Sequence, residues 1–96
     1  GVFANSQTSG NNVIMNNQFT NGGIDLSDEC FDNVVIGNKI TNAVVGLGLY
    51  GGASCSTITK NTFSHCQIGV ALYQVPACLI GNTYIKNKIN IKTGVY

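Results

Sequence analysis

Four short segments of this 96-residue chain repeat one pattern: VIMNNQF at 13–19, VVIGNKI at 34–40, TITKNTF at 57–63 and LIGNTY at 79–84. Each carries an asparagine, Asn17, Asn38, Asn61 or Asn82, so successive copies lie 21, 23 and 21 residues apart. Two positions after each Asn stands a large apolar residue: Phe19, Ile40, Phe63 or Tyr84. An amide set among aliphatic residues costs ~1–3 kcal/mol when it is buried without a partner. The recurrence supplies that partner. A period of this length is a solenoid signature, in which each repeat buries its apolar face against its neighbours.

The residues between the asparagines alternate with period two. Counted from each Asn, positions +7 and +9 read Ile24 and Leu26, Val45 and Leu47, Ile68 and Val70, then Ile89 and Ile91, which predicts inward faces of short strands. Asn, Gly and Ser fill the corners. Leucine-rich repeats share the period but require a regular leucine consensus, which is absent. Stacked parallel strands lie ~4.8 Å apart. Asn17, Asn38, Asn61 and Asn82 are therefore predicted to hydrogen-bond one another as a ladder, structural rather than catalytic.

This pattern resembles the right-handed parallel β-helix repeat of pectate-lyase-like proteins, polysaccharide epimerases and phage tailspikes, over nearly the whole chain from Val2 to Tyr96. The resemblance implies an all-β, right-handed parallel β-helix of about four to five rungs. It would form one domain over 1–96, with repeats near 11–32, 33–54, 55–76 and 77–96 and a partial rung at 1–10. It also implies glycan recognition or processing, an extracellular or virion-surface location and a tailspike-like homotrimer. The chain departs from the enzymes of this group, which use Arg or Lys beside acidic calcium ligands. It contains no Arg, no Lys is obviously placed over its acids, and the epimerase motif DPHD is missing.

One strand of each repeat is apolar on both faces. Ile14, Val35, Ile58 and Leu79 form the predicted inward column, yet Val13, Met15, Val34, Ile36 and Ile80 are apolar too. Such a strand is expected to be covered on both sides. Another subunit or a further part of a parent chain would serve. GVF at the start matches GID at 23–25, in mid-rung, and KTGVY at the end brings no capping coil. The expectation is a piece of a longer β-helix, or ends covered in an oligomer.

Charge narrows the partner classes. Only 9% of residues are charged and the net charge is +1, without the clustered basic residues of a nucleic-acid footprint. The apolar runs are short and broken by Asn and Gly, so no membrane-spanning segment is predicted. Cys30, Cys55, Cys66 and Cys78 are too widely spaced for a paired CxxC metal site. Cys55 and Cys78 each lie 17 residues after a ladder Asn, a spacing that would bring them near each other. A disulfide and small buried hydrophobes are both open readings.

The strand after the corner has the most distinctive predicted outward face. Positions +8, +10 and +12 read Asp25, Ser27, Glu29; Gly46, Gly48, Tyr50; Gly69, Ala71, Tyr73; and Asn90, Lys92, Gly94. Tyr50 and Tyr73 would stand beside a floor of Gly46, Gly48, Gly69 and Ala71, bounded by Asp25 and Lys92. Aromatic rings suit the C–H faces of sugars, and polar edges suit their hydroxyls. A subunit interface is the rival use of the same features. Asp25, Asp28, Glu29 and Asp32 fall within eight residues. They read as a glycosidase pair, a calcium site or a solvated loop. Asp25 and Glu29 on one extended strand would be ~13 Å apart, a poor catalytic pair, which leaves Asp28, Glu29 and Asp32 as catalytic candidates. His65 occupies the turn column of Asn21, Asn42 and Lys86. It lacks an adjacent group to orient it as a base.

The reading at this level is a glycan-binding β-helix module using Tyr50, Tyr73, Asp25 and Lys92, with no cofactor other than the calcium that a carboxylate loop could take. A polysaccharide lyase or glycosidase and a structural spacer or trimerisation module are the alternatives.

Overall fold

A computed structural model of the chain describes residues 2–5, 13–27, 32–50, 56–73 and 77–94. Strand β1 (Val2–Asn5) comes first. Three strands per coil follow: β2 (Val13–Met15), β3 (Gln18–Thr20) and β4 (Ile24–Ser27), then β5 (Val34–Ile36), β6 (Lys39–Thr41) and β7 (Val45–Tyr50). The next coils are β8 (Ser56–Thr59), β9 (Thr62–Ser64) and β10 (Ile68–Tyr73), then β11 (Ala77–Ile80), β12 (Thr83–Ile85) and β13 (Ile89–Gly94). Every third strand joins the same sheet. The first sheet has the order β1-β4-β7-β10-β13, the second β11-β8-β5-β2 and the third β12-β9-β6-β3. All pairings are parallel. The chain is a parallel β-solenoid, as its repeat predicts.

Single residues turn two of the corners. Asn16, Gly37, Lys60 and Gly81 have φ of 57°, 69°, 59° and 72° between the second and third sheets. Asn21, Asn42, His65 and Lys86 have φ of 64°, 61°, 54° and 54° after the third. Glycine and asparagine tolerate this left-handed backbone best. At Lys60, His65 and Lys86 it costs about 1–2 kcal/mol each, which the ladders on either side must offset.

The core is a set of columns. Phe19, Ile40, Phe63 and Tyr84 stack through the third sheet, with the Phe63 and Tyr84 rings 5.6 Å apart and 13° from parallel. Ile14, Val35, Ile58 and Leu79 stack through the second. Asparagine closes the corner between them. The Asn38 backbone N–H donates to Asn61 Oδ1 at 2.9 Å, and Asn38 Nδ2 donates to the same oxygen at 3.0 Å and to Ile14 O at 2.9 Å. Asn17 repeats the first two bonds to Asn38 Oδ1, and Asn61 repeats all three through Asn82 Oδ1 and Val35 O. Asn82 Nδ2 donates to Ile58 O. Each amide thus satisfies backbone groups in the coil below it and accepts from that coil's Asn.

The first sheet departs from the count. Its register pairs Ile24 with Leu47 and Leu26 with Leu49, not Ile24 with Val45. From β7 upward the count holds, Val45 on Ile68 and Ile68 on Ile89. The difference arises at Gly22–Gly23, where the chain cuts the corner beneath Val45 and Gly46. Later coils use two more residues there, and their Gln67, Ile68, Lys88 and Ile89 amides donate to Ala43, Val44, Cys66 and Gln67 carbonyls. The inward columns are therefore Ile24–Leu47–Val70–Ile91 and Leu26–Leu49–Leu72. Leu49 is fully buried and Leu72 packs against the core, both beyond the predicted inward pair.

The second sheet carries apolar residues outside as well as inside, with Thr57 and Thr59 of β8 between them. Val13 and Met15 on β2 are 62% and 53% exposed, and Ile80 at the opposite edge of the sheet is 65% exposed. Cys66 is a free, buried cysteine whose thiol donates to Ser64 O at 3.5 Å. Cys78 lies in register with Thr57, while Cys30 and Cys55 fall outside the described residues.

Candidate functional site

Two tyrosines from adjacent coils meet on the outside of the first sheet. Tyr50 ends β7 and Tyr73 ends β10, in direct register, and their rings stack 5.0 Å apart at 11°. The spacing is that of neighbouring strands, so the backbone ladder itself holds the rings face to face. Beneath them runs the column Asp25, Gly48, Ala71 and Lys92, one residue from each of four successive strands. A Cβ on Gly48 would land on the Tyr50 ring and hydroxyl, so Tyr50 leans back over Gly48. Ala71 is fully buried.

The predicted glycine floor is half right. Gly48 and Ala71 do form it, but Gly46 and Gly69 do not face outward. A Cβ on Gly46 would stand 2.6 Å from Gly69 O and 2.7 Å from the core ring of Phe63. One on Gly69 would stand 2.7 Å from Asn90 O and 3.4 Å from Tyr84. Gly23 sits under the Val45 and Gly46 carbonyls in the same way. These glycines form a packing column at the corner, where the alternation of the strand is broken before Leu47.

The cut corner at Gly22–Gly23 changes what flanks the tyrosines. It moves Asp25 from the predicted place under Gly46 to a place beside Gly48. Asp25 Oδ1 is buried there and no hydrogen bond reaches it among the described residues. Burial holds the carboxyl above its ordinary range. The Tyr50 phenol is raised as well, chiefly by burial, then by the Asp25 charge and by Tyr73. Asp25 and Tyr50 are therefore electrostatic neighbours. Lys92 is exposed at the other end of the column, with two residues intervening.

The remaining predicted residues do not join this group. Asp32 is exposed at a positive-φ turn, and Asp28 and Glu29 lie outside the described residues. His65 is exposed on its left-handed corner, as its turn column predicts. Two further asparagines are not signalled by the repeat. Asn33 is 1% exposed, and its carbonyl accepts from Thr57 N–H. Asn87 accepts from the Cys66 N–H at 2.8 Å and donates to Phe63 O at 3.0 Å, a one-step ladder. Its column holds Ala43 and Cys66 in the coils below, so no repeated Asn marks it.

A family model described as periplasmic copper-binding protein (NosD) matches residues 1–95. The chain belongs to the NosD family. No curated protein and no solved structure matches it. The match agrees with a β-solenoid along the whole chain but brings no pectate-lyase, tailspike or virion relationship, so those parts of the sequence resemblance narrow to the fold itself.

Copper in the family description is tested by the donors present. Copper favours thiolate, thioether and imidazole ligands. Among the residues whose side chains are described these are Met15, His65 and Cys66. Met15 is exposed on the second sheet, His65 is exposed on the corner after the third, and Cys66 is buried. No three His, Cys, Asp or Glu residues among those described gather as a metal group. The described coil does not fit a copper centre.

Proposed function

We propose that this NosD-family solenoid is a glycan-recognising module on the periplasmic side of the membrane, with the Tyr50–Tyr73 stack as its recognition feature. The observation that carries the reading is the column Asp25–Gly48–Ala71–Lys92 beside two rings held 5.0 Å apart in register. The rings give apolar surface to sugar C–H groups at low entropic cost, because the stack already fixes them. Gly48 and Ala71 keep the floor low, and the carboxyl and ammonium groups at its ends suit hydroxyls and charged substituents. The family description supports the periplasmic placement.

A glycan array followed by titration calorimetry tests this. Wild-type protein binds at least one polysaccharide class, and Tyr50→Ala and Tyr73→Ala each abolish or strongly weaken the binding. Equal affinity in wild type and both variants removes the stack from recognition. Incubation with the bound polysaccharide separates binding from processing: new reducing ends or unsaturated-product absorbance would make the module an enzyme.

A further inference from the structure

The family description and the described donor side chains disagree, and the disagreement marks where copper is not held. The full sequence has four Cys, one His and one Met as soft or imidazole donors. Three of these six side chains are described, and each is committed to a different part of the coil. Cys66 fills the inward corner column above Ala43 and below Asn87. Its backbone N–H is held by Asn87 Oδ1 and its thiol by Ser64 O. The thiol is buried, apart from the exposed side chains of His65 and Met15.

His65 is the next residue, yet it cannot join Cys66. Its φ of 54° directs the two neighbours to opposite sides of the wall, one exposed and one buried. No protein group among the described residues orients its imidazole, whereas a metal-bound His ordinarily donates its second N–H to a carboxylate or carbonyl. Met15 is farther away in kind as well as place. It projects from β2, at the lower edge of the second sheet, two coils below the His65 corner.

We infer that Met15, His65 and Cys66 of the solenoid wall form no copper site: they serve surface, turn and core. The inference concerns the metal alone and stands independently of the glycan reading.

The test is competition for Cu(I) against a chromophoric chelator under reducing conditions, using the full chain. The Cys30→Ser/Cys55→Ser/Cys78→Ser variant, with Met15, His65 and Cys66 intact, is expected to withdraw no copper. A wild type that withdraws none supports the inference equally. Copper held by the triple variant overturns it. A second protein, Met15→Leu/His65→Asn, changes only exposed side chains and reads the question if the triple variant fails to fold. It is expected to match the wild type in copper stoichiometry, and loss of a copper equivalent in it overturns the inference.

Discussion

Asn38 gives two hydrogen atoms to one oxygen, Asn61 Oδ1, from its backbone nitrogen at 2.9 Å and its side-chain nitrogen at 3.0 Å. The remaining side-chain hydrogen goes to Ile14 O. One amide therefore joins three levels of the coil. Asn38→Leu keeps the volume and removes both functions, leaving the Asn17 N–H and the Ile14 carbonyl without their partner. The expected loss is about 2–5 kcal/mol, from two unsatisfied groups. Urea unfolding of the two proteins checks it; a difference near zero would mean that water replaces the ladder.

Gly46 and Gly48 stand two residues apart on β7 and serve opposite faces of the wall. Gly46→Ala drives a Cβ into Gly69 O and the Phe63 ring, both fixed by the core. It is expected to cost about 1–3 kcal/mol through overpacking. For Gly48→Ala the nearest atoms are the ring end and hydroxyl of Tyr50, a surface side chain rather than backbone or core. Thermal unfolding should separate the first variant from wild type and leave the second near it, while glycan affinity should fall in the second because Tyr50 is pushed off its floor.

Asp25 gives a pH dependence. Burial raises its folded-state carboxyl above the ordinary value, so the folded chain holds that proton more tightly than the unfolded one. The favourable contribution is full below the unfolded value and is lost as pH rises through the raised folded value. Asp25→Asn carries no charge in either state. Its melting temperature should exceed that of wild type at neutral pH, with the gap closing as pH falls. A gap that widens toward acid would mean that the ionised carboxylate is stabilised in the fold.

The outward column of Met15, Ile36, Thr59 and Ile80, apolar but for one threonine, bears on assembly. Parallel sheets are ordinarily covered on both faces. Self-association through this sheet is proposed on that ground, and sedimentation velocity should find a species larger than 10.1 kDa that Ile36→Lys converts to monomer. A monomer at every concentration removes the proposal.

The solenoid was legible because each coil repeats one demand, an Asn to close the corner and an apolar residue two places on. Phe19, Ile40, Phe63 and Tyr84 could be placed by counting for that reason. Counting failed at Asp25, since corner length is set by how closely Gly22–Gly23 can pass under the next coil, and spacing alone does not carry that information. Gly46 and Gly48 look alike in sequence, and only the break in alternation before Leu47 tells the packing glycine from the floor glycine. Asn87 was missed because its column mixes Ala, Cys and Asn. The Tyr50–Tyr73 stack was found because both ends of the pair follow the same count from their asparagines.

Gly23, Gly46 and Gly69 also act as index marks during threading. Each occupies a place where a carbonyl of the coil above admits no side chain. A first coil wound two residues out of step would still put Leu26 into the core, beneath Leu47, and would leave Ile24 beneath the half-buried Val45. It would, however, bring Asp25 to the place that Gly23 now fills. The backbone oxygen of Gly46 would then refuse the misthreaded chain, and the acid reaches its seat beside Tyr50 only because a glycine is the one residue that passes that checkpoint.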